Sequence, residues 1–293
     1  MHCELVVPPP PSAPRDSRRP ALELLLARGR RARSEPASTT QWLLEAFGGG
    51  VPGDETWLRA EPVHLRADRD RVLQFRPGSF AIARGEAEAL CRAINGHFGA
   101  RLNVSPLKPE VWSARSAIVD GLDSLRPPSG EAMELPHGGK AATAWHALLN
   151  EIQMVLHAHP VNAAREARGE PAVNGVWLWG AARLPRAASG PWQSVTADDP
   201  VALGLARLAG MRHPLLPASA DEWLNRLPTD GRHLAVLDSI LDDAWFAPLL
   251  AALREGRVGM ITLHLPEWGL AAEAVRGDLR RFWRRRRPLD AHR

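Results

Sequence analysis

The stretch HLAVLDSILDDAWFAPLLAALREGRVGMITLHL (233–265) decides the fold. Its two ends, HLAVLDSI (233–240) and GMITLHL (259–265), are short apolar runs with β-branched residues, which is typical of buried strands. Between them, WFAPLLAALREG (245–256) has the apolar spacing of a helix. A strand, a helix and a second strand in this order predict a parallel sheet with the helix packed across one face.

The segments upstream continue this alternation. VNGVWLWG (173–180) has the aromatic and β-branched content of a buried strand, and DDPVALGLARLAGM (198–211) is typical of a helix capped by Asp198 or Asp199. The last third of the chain therefore runs strand, helix, strand, helix, strand. Residues 3–7 add a first strand near the N-terminus. The pattern predicts an α/β fold with a mostly parallel sheet flanked by helices.

The middle of the chain mixes helices with short strands. VHLRAD (63–68) and RVLQF (71–75) alternate apolar and polar residues, which predicts a half-buried hairpin. A further strand is predicted at 101–107, and proline and glycine indicate loops at 48–55 and 124–140. Helical spacing is found at 20–32, at 39–47 with Thr39 or Thr40 as its cap, and at 85–99, 142–160 and 161–169.

The composition excludes several classes of protein. The chain has 293 residues, of which 45% are hydrophobic and 24% charged, so it can bury a substantial core. No apolar run reaches the ~20 residues of a membrane helix, and the N-terminus lacks the basic region of a secretory signal. Two cysteines, Cys3 and Cys91, cannot build a disulfide framework or an all-cysteine metal site. We therefore expect a cytoplasmic protein with no membrane partner.

The basic character of the chain is concentrated at its end. RRFWRRRRPLDAHR (280–293) holds seven arginines and one aspartate, a net charge of +6, whereas the whole chain carries +4, so residues 1–279 carry −2. A terminal run of arginines can bind nucleic acid phosphates without sequence preference. A solvated chain end is the more common explanation of a charge run.

Common catalytic motifs are absent. The sequence contains no phosphate loop, dinucleotide fingerprint, GxSxG elbow or HExxH helix. HAH (157–159) offers two imidazoles, but residues two apart point to different sides of a helix and no third ligand accompanies them, which favours a polar helix end. Asn150 and Gln153 share a helical face and either line a polar cleft or form a solvated edge.

One short helix carries a candidate anion site. HPVNAAREARG (159–169) places Asn162, Arg165 and Arg168 three residues apart, on one stripe of the helix. Two guanidiniums and an amide could bind a carboxylate or a phosphate. A surface helix with exposed arginines explains the same spacing equally well.

Three segments resemble the archaeal-type cofactor-independent phosphoglycerate mutases. They are NEIQMVLHAHPVNAAREARGEPAVNGVWLWG (150–180), DDPVALGLARLAGM (198–211) and WLRAEPVHLRADRDRV (57–72). The chain is also similar to bacterial regulatory proteins of the RpfE type, which share the first and the third of these blocks. The likeness covers most of residues 57–265 and is specific from 145 to 211.

The resemblance implies an alkaline phosphatase-like α/β core, degenerate in this chain, with an inserted α+β substrate-like domain. The implied boundaries are 1–56 and 173–279 for the two parts of the core, 57–172 for the inserted domain and 280–293 for the basic tail. The resemblance also implies that Arg66, on the strand VHLRAD (63–68), faces the short helix that carries the candidate anion site. The implied ligand-binding residues are Arg66, Asp68, His159, Asn162, Arg165, Arg168 and Asn174.

The enzymes of that family use two divalent metals, held by aspartates and histidines, and a serine nucleophile. This chain departs from the pattern, because Pro8–Pro11 stand where an aspartate–glycine pair would follow the first strand. Asp238, Asp242 and Asp243 have no histidine after them, and only His264 remains of a late aspartate–histidine pair. We therefore expect no metal or other cofactor, and no catalytic residue can be assigned.

These departures predict a non-catalytic relative of the phosphoglycerate mutases, with a regulatory or anionic-metabolite-binding role. Its expected partner is a small anionic metabolite. Two alternatives stay open. One is an active phosphoglycerate mutase or phosphatase with relocated metal ligands, and the other is a nucleic-acid-associated regulator that uses the arginine tail.

Overall fold

The structure is a computed structural model that describes residues 1–8, 19–68, 71–75, 79–116, 139–237 and 243–288. Within these ranges the strands are β1 (His2–Val6), β2 (Arg30–Arg33), β3 (Pro52–Asp68), β4 (Arg71–Phe75), β5 (Leu102–Lys108), β6 (Val111–Ser116), β7 (Gly175–Pro185), β8 (Ser194–Ala197), β9 (Arg232–Val236), β10 (Met260–Leu265) and β11 (Leu270–Val275). The helices are α1 (Pro20–Arg28), α2 (Thr39–Ala46), α3 (Arg84–Phe98), α4 (Gly139–His157), α5 (Pro160–Ala167), α6 (Pro200–Leu208), α7 (Ala220–Arg226) and α8 (Asp243–Glu255).

The chain forms two compact units. The first contains Met1–Gly50 and Ala187–Arg293, and the second contains Val51–Arg186. The second unit begins and ends outside the predicted limits of 57–172, because β7 pairs with β3 rather than with the strands of the first unit. The strand predicted at 173–180 therefore exists but belongs to the other sheet.

The first unit is built on a six-stranded sheet in the order β2-β11-β10-β1-β9-β8. Strands β8, β9, β1 and β10 are parallel to one another, which confirms the parallel arrangement predicted from residues 233–265. Strand β1 lies between β9 and β10, so helix α8 crosses over one strand to connect them. Because several helices accompany this mainly parallel sheet, the mixed α/β class is confirmed.

An antiparallel edge of this sheet was not predicted. A short 3-10 turn ends at Gly269, whose φ of 54° lets the chain reverse directly into β11. The exposed strand β2 then pairs with β11. The helix predicted at 20–32 therefore ends at Arg28, and residues Arg30–Arg33 form a strand because β11 offers them an open edge.

The two faces of this sheet have different chemistry, because successive side chains point to opposite sides. Cys3 and Leu5 lie in a buried apolar cluster with residues of α1, α7 and α8. Glu4 lies on the opposite face, where Trp42 of α2 contacts His264 with ring centroids 4.6 Å apart. Helix α6 packs on α2, so helices cover both faces.

The second unit is an antiparallel sheet with helices. Its strands follow the order β4-β3-β6-β5, with β7 also paired to β3. The hairpin predicted from 63–68 and 71–75 is confirmed by the pairing of β3 with β4. Strand β3 starts at Pro52, inside the loop predicted at 48–55, because its first half pairs with β7. Helices α3 and α4 bury their apolar faces in one cluster with these strands.

Other local predictions have mixed outcomes. Ser38, rather than Thr39 or Thr40, caps α2, since its side chain accepts a hydrogen bond from the backbone N–H of Gln41. Asp199 caps α6 as one of the two predicted candidates. The loop predicted at 124–140 lies almost entirely outside the described residues. None of the described helices is both long and apolar enough to cross a bilayer.

Candidate functional site

The predicted anion helix is α5, and its two arginines have very different surroundings. The side chain of Arg165 is only 1% exposed. Its Nε donates to the Pro171 carbonyl oxygen at 2.8 Å, Nη1 donates to Glu86 Oε2 at 2.6 Å and Nη2 donates to the Ala81 carbonyl oxygen at 2.8 Å. A soluble anion could reach this guanidinium only by displacing Glu86.

Arg168 lies at the exposed end of the same stripe. Its side chain is 48% exposed and pairs with both Glu86 and Glu170, at 2.8 Å and 2.7 Å. Burial acts to raise the pKa of Glu86, but the Ala83 N–H and the two arginines outweigh it and lower the pKa. The carboxylates of the protein thus take the position that a bound anion would occupy.

The two predicted asparagines hold backbone segments together. Asn162 Nδ2 donates to the carbonyl oxygens of Leu156 and Val173, both at 2.8 Å, and its Oδ1 accepts from the Val173 N–H. Asn174 makes a matching pair of hydrogen bonds with the backbone of Leu65. These contacts are those of structural residues, and the ligand-binding role assigned to them stays a prediction.

The remaining predicted residues are not joined to this cluster by any contact among the described side chains. His159 caps α5, where its Nδ1 accepts a hydrogen bond from the Val161 N–H at 3.2 Å. Arg66 is exposed on β3 and its guanidinium lies 5.1 Å from the ring centre of Phe75. Asp68 ends β3, and its side chain lies outside the described residues.

A buried charged cluster lies on the polar face of the first sheet. Glu4 is 3% exposed and accepts from Arg232 Nε at 2.8 Å, while His264 Nε2 lies 3.2 Å from its other oxygen. Burial alone would raise the pKa of Glu4, but the hydrogen bonds from His264 and Arg232 outweigh it and lower the pKa to about 2. Glu4 is therefore ionised at neutral pH.

These residues do not fit the two-metal centre that the resemblance implies. The guanidinium of Arg232 is paired with Glu4, so the carboxylate beside His264 is already neutralised by a cation of the protein. Among the described residues, no three histidine, cysteine, aspartate or glutamate side chains form a possible metal site. Asp238, Asp242 and the side chain of Asp243 lie outside those residues.

A cavity of about 590 Å³ lies beside the edge strand β8. The segment after α6 runs along this strand, since the Val195 N–H donates to the Arg212 carbonyl and the Ala197 N–H donates to that of Pro214. Helix α7 contributes Trp223, whose Nε1 donates to Thr196 Oγ1 at 3.0 Å. The cavity thus has one wall of strand, one of helix and one of loop.

Ser194 and His233 form a hydrogen-bonded pair in this region. Ser194 lines the cavity, and its Oγ lies 2.8 Å from His233 Nδ1. His233 Nε2 lies 2.8 Å from the Asp230 carbonyl oxygen, which can only accept, so the neutral ring is protonated at Nε2 and Ser194 donates to Nδ1. Burial is the main cause that lowers the pKa of His233, and the charge of Arg212 acts in the same direction.

The polar lining of the cavity is basic. Arg212, His213 and Arg226 line it, and none of the described lining residues is acidic. Arg226 is paired with Glu222 on its own helix. Among the described residues, no carboxylate is paired with Arg212, which is exposed. Apolar groups complete the lining: Met211, Pro214, Leu215, Pro217, Trp223 and Leu227.

Sequence reasoning did not identify this cavity. A signal was present, because GMRHP (210–214) places two basic residues and a proline directly after a helix. Gly210 has a φ of 67°, which ends α6 and turns the chain back along β8. The missing information was the pairing of this loop with β8, which depends on residues distant in sequence.

No protein-family model matches the chain, and no curated protein is significantly similar to it. Several solved structures resemble it, and two of them do so at low identity. One is the cofactor-independent phosphoglycerate mutase from Thermoplasma acidophilum, with 17% identity, a TM-score of 0.40 and coverage of 94% of this chain and 90% of that chain. The other is the PH0037 protein from Pyrococcus horikoshii, with 14% identity, a TM-score of 0.48 and coverage of 93% and 87%. Similarity at this level supports no conclusion about family or activity.

Proposed function

We propose that this protein binds a small carboxylated or phosphorylated metabolite in the cavity beside β8 and acts as a binding or regulatory protein rather than a catalyst. The observation that carries the proposal is Arg212, a cation at the cavity with no carboxylate partner among the described residues. A guanidinium binds carboxylate and phosphate groups through paired N–H donors.

The charge of the cavity favours an anion over a neutral or cationic ligand. Arg212 is accompanied by His213, and Thr196 retains a free hydroxyl proton because its oxygen accepts from Trp223. Each of these lining groups carries a hydrogen-bond donor, whereas none of the described lining residues carries a carboxylate. Arg226 is already paired with Glu222, so we expect it to attract a ligand anion less strongly than Arg212 does.

The size and walls of the cavity favour a ligand with an apolar body. A volume of about 590 Å³ lies within the range of small-molecule sites. The indole of Trp223 and the side chains of Met211 and Leu215 would contact the carbon skeleton. An organic acid or an organic phosphate fits this lining better than an inorganic ion does, because it uses both the charge and the apolar surface.

A phosphoryl-transfer function remains the competing proposal, with metal ligands relocated from their usual positions. Ser194 and His233 have the connectivity of a nucleophile and a base. Both are buried and the pair lies on adjacent strands, so we assign it a structural role in holding β8 against β9. The alkaline phosphatase-like ancestry and the RpfE-type relationship remain part of the proposal on the sequence resemblance alone, and the cytoplasmic location remains part of it on the composition.

The test is a thermal-shift screen of the full chain against carboxylated and phosphorylated metabolites. The proposal predicts that at least one of these anions raises the melting temperature, and that Arg212→Ala removes the shift. Arg207→Ala is the matched control, because Arg207 is an exposed arginine of α6 that does not line the cavity. A shift that survives Arg212→Ala, or mutase or phosphatase activity with added manganese, would contradict the proposal.

A further inference from the structure

Two basic segments that are far apart in sequence lie together in the first unit. Strand β2 (Arg30–Arg33) is an edge strand, and all four of its residues are exposed. The described part of the tail, residues 280–288, returns to the turn just before this strand. Arg281 Nη1 donates to the Arg28 carbonyl oxygen and Arg284 Nη1 donates to the Gly29 carbonyl oxygen, both at 3.1 Å.

These contacts fix the tail beside the strand. Arg28 Nη1 in turn donates to the Leu279 carbonyl oxygen, so the two segments are held from both sides. The carboxylate of Asp278 forms an ion pair with Arg281, whose Nη2 lies 2.8 Å from Asp278 Oδ1. The arginines of β2 and those of the tail therefore lie side by side in a mainly basic area, in which Glu273 of β11 stands opposite Arg30. We name the arginines of this area the arginine surface: Arg30, Arg31, Arg33 and Arg284–Arg287.

Two large aromatic side chains project beside this surface. Phe282 is 78% exposed and Trp283 is 67% exposed, and they are the only strongly exposed aromatic residues in the described part of the chain. Their rings contact each other edge to face, with centroids 5.3 Å apart. Large apolar rings left in water beside a set of cations indicate a surface for a partner.

The positive charge and the exposed aromatic rings together indicate which class of partner fits this surface. Arginines neutralise phosphates along a backbone, and exposed aromatic rings stack on unpaired bases. A duplex keeps its bases stacked and gives such rings nothing to contact. An arginine-rich strand edge could also serve only to prevent unwanted strand pairing, but that role does not require exposed aromatic rings.

We propose that the arginine surface, with Phe282 and Trp283, binds single-stranded nucleic acid without strong sequence preference. The inference is independent of the cavity beside β8, since it uses other residues. It extends the hypothesis that the arginine tail binds nucleic acid, because strand β2 adds its own arginines to those of the tail.

The test measures binding of the full chain to a fluorescein-labelled 20-nucleotide thymidine strand by fluorescence anisotropy, at several salt concentrations. Wild-type protein should bind the single strand more tightly than the matching duplex. Trp283→Ala should weaken binding about tenfold. Arg30→Ala combined with Arg31→Ala should weaken it too and should reduce the slope of log affinity against log salt by about 1.4.

The control is Arg207→Ala combined with Arg254→Ala, which removes the same charge from exposed helix positions. Binding that falls equally in this control, or that ignores Trp283→Ala, would show non-specific attraction to any polyanion and would overturn the proposal. Tight, Trp283-dependent binding to phosphatidylserine vesicles with no binding to the oligonucleotide would also overturn it. Unchanged melting temperatures of all variants verify that they fold.

Discussion

Replacing Arg165 by methionine should destabilise the protein far more than the same replacement at Arg168. The two arginines lie three residues apart on the stripe that begins in α5, and both pair with Glu86. They differ in burial, since the Arg165 side chain is 1% exposed and that of Arg168 is 48% exposed. Methionine keeps most of the apolar stem, so the comparison isolates the guanidinium.

The expected magnitudes follow from the contacts. Loss of the Arg165 guanidinium leaves two backbone carbonyls without their donors and Glu86 without its buried partner. Breaking a buried ion pair from one side costs about 3–5 kcal/mol. The exposed pairs of Arg168 contribute about 0–1 kcal/mol. The free energies of unfolding of the two variants should therefore differ by about 3 kcal/mol.

Urea unfolding followed by far-ultraviolet circular dichroism measures this difference. With a denaturant dependence of about 2 kcal/mol per molar urea, Arg165→Met should lower the midpoint by about 1.5 M relative to Arg168→Met. If the two variants unfold within about 0.5 kcal/mol of each other, Arg165 is not the buried link between α5 and Glu86 described above. Equal stability would revive the interpretation that Arg165 is kept for an anion.

Three further predictions concern other parts of the structure. The pKa of Glu4 is lowered from 4.5 to about 2, so its contribution to the free energy of unfolding is complete above pH 5 and is lost as the pH falls towards 2. When the free energy of unfolding is measured over this pH range, the loss should be about 2–3 kcal/mol, after allowance for solvent around the partners of Glu4. Asn162→Ala, which removes three buried hydrogen bonds, should cost about 2–4 kcal/mol in urea unfolding, whereas exposed Asn150→Ala should cost under about 0.5 kcal/mol. Gly269→Ala should lower the melting temperature, since the new methyl group would collide with the Ser34 carbonyl oxygen at a positive φ.

The sequence predicted the parallel part of the fold because its strands and helices have clear periodicity. HLAVLDSI (233–240) and GMITLHL (259–265) became β9 and β10, and α8 lies between them. The antiparallel edge was missed because RRAR (30–33) has no apolar residue except one alanine, and it forms a strand only where β11 offers an edge. Local patterns cannot show such pairing.

The predicted site residues illustrate the same limit. The spacing of HPVNAAREARG (159–169) correctly places Asn162, Arg165 and Arg168 along one stripe. It cannot show that Glu86, 79 residues earlier, meets Arg165 there. Because the Glu86 carboxylate binds Arg165, the residues predicted as an anion site form an ion pair within the protein. The cavity beside β8 was missed because its wall forms only when residues 211–217 fold back along the strand.

The most direct test of the central claim is isothermal titration calorimetry of the cavity ligand. The anion that gives the largest thermal shift is titrated into wild-type protein, Arg212→Ala and the control Arg207→Ala. The proposal predicts one site per chain, with affinity lowered about 10- to 100-fold by Arg212→Ala and unchanged by Arg207→Ala, because a charged hydrogen bond contributes about 1.5–3 kcal/mol. Equal affinities in all three proteins would contradict the assignment of the cavity beside β8 as the anion site.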